Sequence, residues 1–187
     1  MVFSLISRVV NGVKGGVSEG LKGVGNVGEA IVDLVKNTTV ATLKGTGDVV
    51  STGVGTAGSV VKGAIEGLAD VGAALVGAVK GIVVGAVEGL MESGVKQNEA
   101  VKGVVAQTLH SAKELGIDVA ETAVEAVTGS IEAVRKVGGN SIDATREAVI
   151  AAVKVAAEIG TETLDAVTGA LEESIDGAKE IIKSIEK

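Results

Sequence analysis

The chain has 187 residues, a net charge of −7 and a single aromatic residue, Phe3, with no Trp, Tyr, Pro or Cys. Without large rings the usual anchors of a globular core are missing, and without cysteine there is no disulfide framework and no thiolate ligand. Phosphate neutralisation needs a basic surface, so an acidic chain is not expected to bind nucleic acid.

The opening MVFSLISRVV is a poor signal peptide, because its apolar run is short and Arg8 follows that run instead of preceding it. Secretion is therefore not supported, and a cytoplasmic or peripheral-membrane location is expected. Val2, Phe3, Leu5, Ile6 and Val9 are candidate membrane contacts.

From Val10 onward an eleven-residue period takes over. Every eleventh residue reads Val10, Leu21, Val32, Leu43, Val54, Ile65, Val76, Val87, Asn98, Leu109, Ala120, Ile131, Ile142, Val153, Leu164 and Ile175. Eleven residues make three helical turns, so the column lies along one helix face. A second column alternates large and small: Val61, Gly72, Val83, Gly94, Val105, Gly116, Val127, Gly138, Val149, Gly160. With their neighbours these columns form one broad apolar stripe. Acidic and basic columns flank it and place Asp33–Lys36, Glu132–Arg135, Asp143–Arg146 and Asp176–Lys179 as i,i+3 pairs.

Residues 1–92 form a glycine-rich apolar segment. Twenty-one of the 28 glycines lie between Gly12 and Gly103, and each costs about 0.8–1 kcal/mol relative to Ala inside a helix. That half needs a partner surface to fold. Gly77, Gly81, Gly85 and Gly89 form a small-residue ridge suited to close helix packing. The patterns Gly23-Val-Gly25-Asn-Val-Gly28 and Gly53-Val-Gly55-Thr-Ala-Gly58 match a dinucleotide loop in letters alone, because no strand precedes either of them.

Residues 93–98 are a soft spot or hinge, where polar residues interrupt the stripe. Asn98 is a candidate register residue in a multi-helix core, or marks the hinge. Residues 99–187 are more acidic, with ten Lys/Arg against sixteen Asp/Glu from residue 94 on, and resemble a soluble coiled coil. Gly138-Gly139-Asn140-Ser141 reads as a helix stop followed by a new N-cap. Because the period keeps its phase across both interruptions, the reading is one very long amphipathic helix, about 270 Å if continuous. Copies of it would assemble into a right-handed or nearly straight bundle, tube or filament. The alternative is a helical hairpin turning near 92–99.

Stretches such as TGDVVSTGVGTAGSVVKGAIEGLADVG (46–72) and AVKGIVVGAVEGL (78–90) resemble the eleven-residue repeats of synucleins and perilipins, over about residues 10–106. The resemblance implies a chain that becomes a long amphipathic helix on a membrane or lipid droplet. The layout, a greasy first half and an oligomerising second half, is also similar to that of membrane-associated stalk or scaffold subunits. No nucleophile–base pair, metal set or cofactor motif stands out, so no enzyme and no cofactor is expected.

The expected function is structural. The chain self-associates through the apolar stripe, using the Val10 column without Asn98 and Ala120 together with the whole Val61–Gly160 column. Valines of one copy fill glycine notches of the next. The alternative is a coat on a lipid or membrane surface, and a hydrophobic guest in the interior is a further candidate partner.

Overall fold

A computed structural model describes residues 2–20, 27–46, 49–71 and 75–185, with side chains over 7–19, 28–45, 54–70 and 76–185. Helices α1 (Val2–Gly20), α2 (Val27–Thr46), α3 (Val49–Val71), α4 (Leu75–Glu92) and α5 (Gln97–Leu115) are followed by α6 (Val119–Lys136), α7 (Ser141–Ile159), α8 (Thr161–Ser174) and α9 (Ala178–Ile185). The protein is all-α, but it is a bundle of short helices, and the single long rod read from the period is not formed. A turn does fall at residues 93–96, inside the span foreseen for a hairpin, yet it is one of a series.

The alternating column explains the correction. Val83, Val105, Val127 and Val149 sit in the middle of α4, α5, α6 and α7 and are fully buried. Eleven residues after each comes a glycine with positive φ: Gly94 at 93°, Gly116 at 68°, Gly138 at 77° and Gly160 at 153°. Two eleven-residue units thus make one helix and its turn. The phase survives the turns because the turns themselves recur every 22 residues.

The turns at Gly94, Gly116 and Gly138 close in the same way. A backbone N–H just past the glycine reaches back five residues: Val95 to Leu90 O at 3.0 Å, Ile117 to Ala112 O at 2.9 Å, and Gly139 to Val134 O at 2.8 Å. This is the Schellman closure, which uses a left-handed residue to satisfy the last carbonyls of a helix. At α6 and α7 a polar side chain then caps the new helix, whereas Lys96 before α5 makes no such bond. Asp118 Oδ1 accepts from Glu121 N at 2.9 Å, and Asn140 Oδ1 accepts from Ile142 N and Asp143 N. The stop-and-cap signal at residues 138–141 is therefore a real boundary between α6 and α7.

The closest packing is between helices two apart in sequence, with lesser contacts between neighbours. The chain is a two-layer stack, with α1, α3, α5, α7 and α9 in one layer and α2, α4, α6 and α8 in the other. Within a layer helices run parallel: a Cβ on Gly63 would meet Val10 and Val13, and one on Gly67 would meet Lys14 and Val17. One apolar cluster runs through the stack from Val13 to Ile182. Each helix covers the apolar face of its neighbours, as repeat architectures do when no unit can bury its own face alone.

Candidate functional site

The chemistry of this chain lies in the seams between helices two apart. Small residues let the backbones approach there. A Cβ on Gly63 would stand 2.5 Å from Val10 O, and one on Gly89 would stand 2.9 Å from Thr39 Cβ. Gly85 faces the carbonyl of Val32 and Gly81 faces Ile31. The ridge of Gly81, Gly85 and Gly89 is thus filled by α2 of the same chain, whereas Gly77 faces open space.

Ion pairs tie the same seams. Lys14 pairs with Asp70 at 3.1 Å, Lys62 with Glu114 at 2.6 Å, and Lys80 with Glu132 at 2.7 Å. Lys36 reaches Glu92 at 2.6 Å and Glu88 at 3.4 Å. Lys136 stands 3.6 Å from Glu88 and 3.3 Å from Glu132. These residues form a continuous ladder across α2, α4 and α6, with the buried carboxylate of Glu88 in its middle. Glu88 Oε1 has no hydrogen bond and relies on the charge of Lys136. The four i,i+3 pairs expected along single helices do not close among the described residues. For Lys36 the acids of α4 compete with Asp33 and take the ammonium.

The ladder holds its groups in their charged forms. The hydrogen bond to Glu92 raises the pKa of Lys36 against the opposing effect of burial, and the bond to Glu114 does the same for Lys62. The bond from Lys80, with further help from Lys136, lowers that of Glu132. Two acids behave in the opposite way. Glu125 and Glu147 stand one helix apart at the same place in the 22-residue unit, where α4 and α5 carry Gly81 and Gly103. Burial raises both, against the attraction of Lys80 for Glu125 and of Lys102 for Glu147.

The residues expected to form a self-association stripe lie mostly inside the chain. Leu43, Ile65, Val87, Leu109, Val153, Val61, Val83, Val105, Val127 and Val149 are buried. Val10, Val32, Val54, Val76, Ile131, Leu164 and Ile175 are half-buried under the helix two further on or at the end of the stack. Ile142 is the exception at 76 % exposed. Gly94, Gly116, Gly138 and Gly160 occupy turns, and a Cβ on any of them would meet open space. Leu21 and Gly72 lie outside the described residues, as do the side chains of Val2, Phe3, Leu5 and Ile6. Val9 is half-buried, and Asn98 is exposed on the first turn of α5, where its Oδ1 accepts from Glu99 N at 3.0 Å.

The sequence marks Gln97 only as one of the polar residues that interrupt the stripe, and it does not single out Glu147; the turn before α7 brings the two together. A groove of about 530 Å³ between α2, α4 and α6 is lined by Lys80, Lys136, Glu29, Asp33 and Glu132, among others; Lys80 pairs with Glu132 across it, and Lys136 pairs with Glu132 along α6. No group of acids and imidazole among the described residues could hold a metal ion, and no described helix is long and apolar enough to cross a membrane. Gly53–Gly58 lie within α3, without the strand and turn that a dinucleotide loop requires. The sequence matches no protein-family model and no curated protein.

Proposed function

We propose that the protein is a non-enzymatic scaffold that self-associates into an elongated helical assembly with an apolar interior. What supports this is a seam left open at one end. In α4, Gly81, Gly85 and Gly89 seat the helix against α2. The residues 44 positions earlier, two full units, are Asn37, Ala41 and Gly45 of α2, and all three are exposed. On α1, Gly12, Gly15 and Gly16 likewise face open space. The two ends differ in degree: α8 and α9 expose Glu162, Glu172, Glu173, Lys179, Glu180 and Lys183 with Gly169 as their one open helical glycine, whereas α1 and α2 set Gly12, Gly15, Gly16 and Gly45 in the open between exposed Arg8, Glu29, Asp33 and Lys44. A stack of repeats normally needs a polar cap at both ends to stay monomeric. The uncapped α1–α2 edge is continuous with the internal seams, so a second copy of the chain is the partner that fits it.

Sedimentation or light scattering over a range of concentrations tests the reading. Wild type is expected to self-associate. Ala41→Arg with Gly45→Arg, at exposed positions, is expected to remain folded and become monomeric. A wild type that stays monomeric throughout, or a double variant that associates unchanged, would contradict it. Association seen only when vesicles are added would assign the edge to a lipid surface instead.

A further inference from the structure

The open α1–α2 edge carries charges in a pattern that selects how another chain can meet it. On α1, exposed Arg8, Gly12, Gly15 and Glu19 follow one another at helical spacing and share one face. That face lies opposite the one that α1 turns toward Gly63 and Gly67 of α3 with Val10, Val13 and Val17. On α2, exposed Asp33, Asn37, Ala41 and Lys44 likewise share a face, turned from the side where Val35 and Thr39 meet Gly85 and Gly89 of α4. Asp33 and Lys44, three helical turns apart, stand on the same rim of that face, beside the α2–α4–α6 groove. Among the described residues no ion pair within the chain uses Arg8, Asp33 or Lys44. Helix direction sorts these charges. α1 runs parallel to α3, α3 to α5, and α2 to α4, while the chain reverses between α4 and α5 at residues 93–96. Helices α1 and α2 are therefore antiparallel. Arg8 and Lys44 fall in one half of the edge and Glu19 and Asp33 in the other, so one half is positive and the other negative.

Resting on the self-association proposed above, we infer that the second copy presents this same edge, turned about a two-fold axis perpendicular to the helices, so that α1 lies antiparallel on α1 and α2 on α2. On each helix the base and the acid are placed evenly about the small or uncharged pair between them. The turn therefore sets Arg8 against Glu19 of the second copy and Gly12 against its Gly15, and sets Asp33 against its Lys44 and Asn37 against its Ala41. Each positive half meets a negative half, and glycine meets glycine where the α1 backbones must approach. A two-fold axis parallel to the helices would lay α1 on α2 of the other copy and bring like charges together. The far end of the stack is a poorer mate, because α8 exposes Glu162, Asp165, Glu172 and Glu173 and has no lysine or arginine to meet the negative half. A self-complementary contact consumes the edge of both copies, so assembly through it closes at two chains.

Sedimentation equilibrium of the full chain is expected to level off at the mass of two chains. Lys44→Glu and Asp33→Lys should each dissociate several-fold more readily than wild type, because like charges then meet twice across the axis. An equal mixture of the two variants should regain the wild-type strength as a heterodimer, since each supplies the charge that the other opposes at both crossings. These differences should shrink in about 1 M salt, where exposed charges are screened. The chain has no cysteine of its own, so single nitroxide labels report the geometry directly. Labels on exposed Asn11→Cys should couple within about 20 Å, as the helix rise and the spacing of packed helices require, and labels on Gly169→Cys at the far end should not couple. Coupling that appears only when the two labelled chains are mixed would overturn the two-fold contact while leaving self-association standing. A mass that keeps rising with concentration, or a mixture no tighter than its components, would do the same. A chain that stays monomeric throughout would overturn both readings together.

Discussion

Gln97 holds the backbone of Asn140 with both atoms of its amide: Nε2 donates to the Asn140 carbonyl at 2.9 Å and Oε1 accepts from the Asn140 N–H at 3.0 Å. One residue opens α5 and the other caps α7, so the clamp joins two successive turns of the odd layer. It fixes where α7 begins, and with it the seam against α5.

Removing this clamp isolates its worth. Gln97→Ala is expected to destabilise the fold by about 1 kcal/mol, the usual net value for such bonds. Chemical denaturation measures this, and limited proteolysis should show faster cleavage near Gly138-Gly139. An unchanged midpoint would mean that the turn is held by Asn140 capping alone.

Seam glycines and exposed glycines should respond with opposite signs. Gly85 faces the Val32 carbonyl and the backbone N–H of Lys36, so Gly85→Val is expected to cost about 1–3 kcal/mol by overpacking. Gly12 and Gly15 face open space inside α1, so Ala at either should stabilise by up to about 1 kcal/mol through helix propensity. Thermal melts of the single variants check both signs.

The ladder predicts loss of stability in acid. The folded-state carboxyl of Glu132 is lowered by Lys80 and Lys136. Its contribution is therefore present above the unfolded glutamate range and is lost as pH falls through the folded value. Glu132→Gln should reduce stability at neutral pH and flatten the acid limb of the stability curve. For Lys36, raised by Glu92, the contribution is complete below the unfolded lysine value and fades only as pH rises through the folded one. Lys36→Met should therefore cost stability at neutral pH and lessen the decline at high pH.

Helix content, the buried stripe and the cap at Asn140 were legible in the sequence because each is a local or periodic signal. Val83 and Val127 announce burial by their spacing, and their positions in α4 and α6 bear this out. The long rod was misread at Gly94 and Gly116, where the letters keep the eleven-residue phase. A helix interior and a left-handed turn can use glycine equally well, and the period does not distinguish them. The ladder was illegible for another reason. Lys36 has an acid three residues before it in Asp33, but Glu88 and Glu92, more than fifty residues on, lie closer to its ammonium in space. The Glu147 seam depends on the α6–α7 turn in the same way.

The turn glycines give the most direct test of the helix-and-turn stack. Gly94, Gly116 and Gly138 hold φ of 93°, 68° and 77°, where an L side chain costs about 1–2 kcal/mol. Replacing each with Ala and measuring unfolding free energy by chemical denaturation should show destabilisation at every one of the three. A continuous helix requires the reverse, a gain of up to about 1 kcal/mol at each site, and three stabilised variants would contradict the turns.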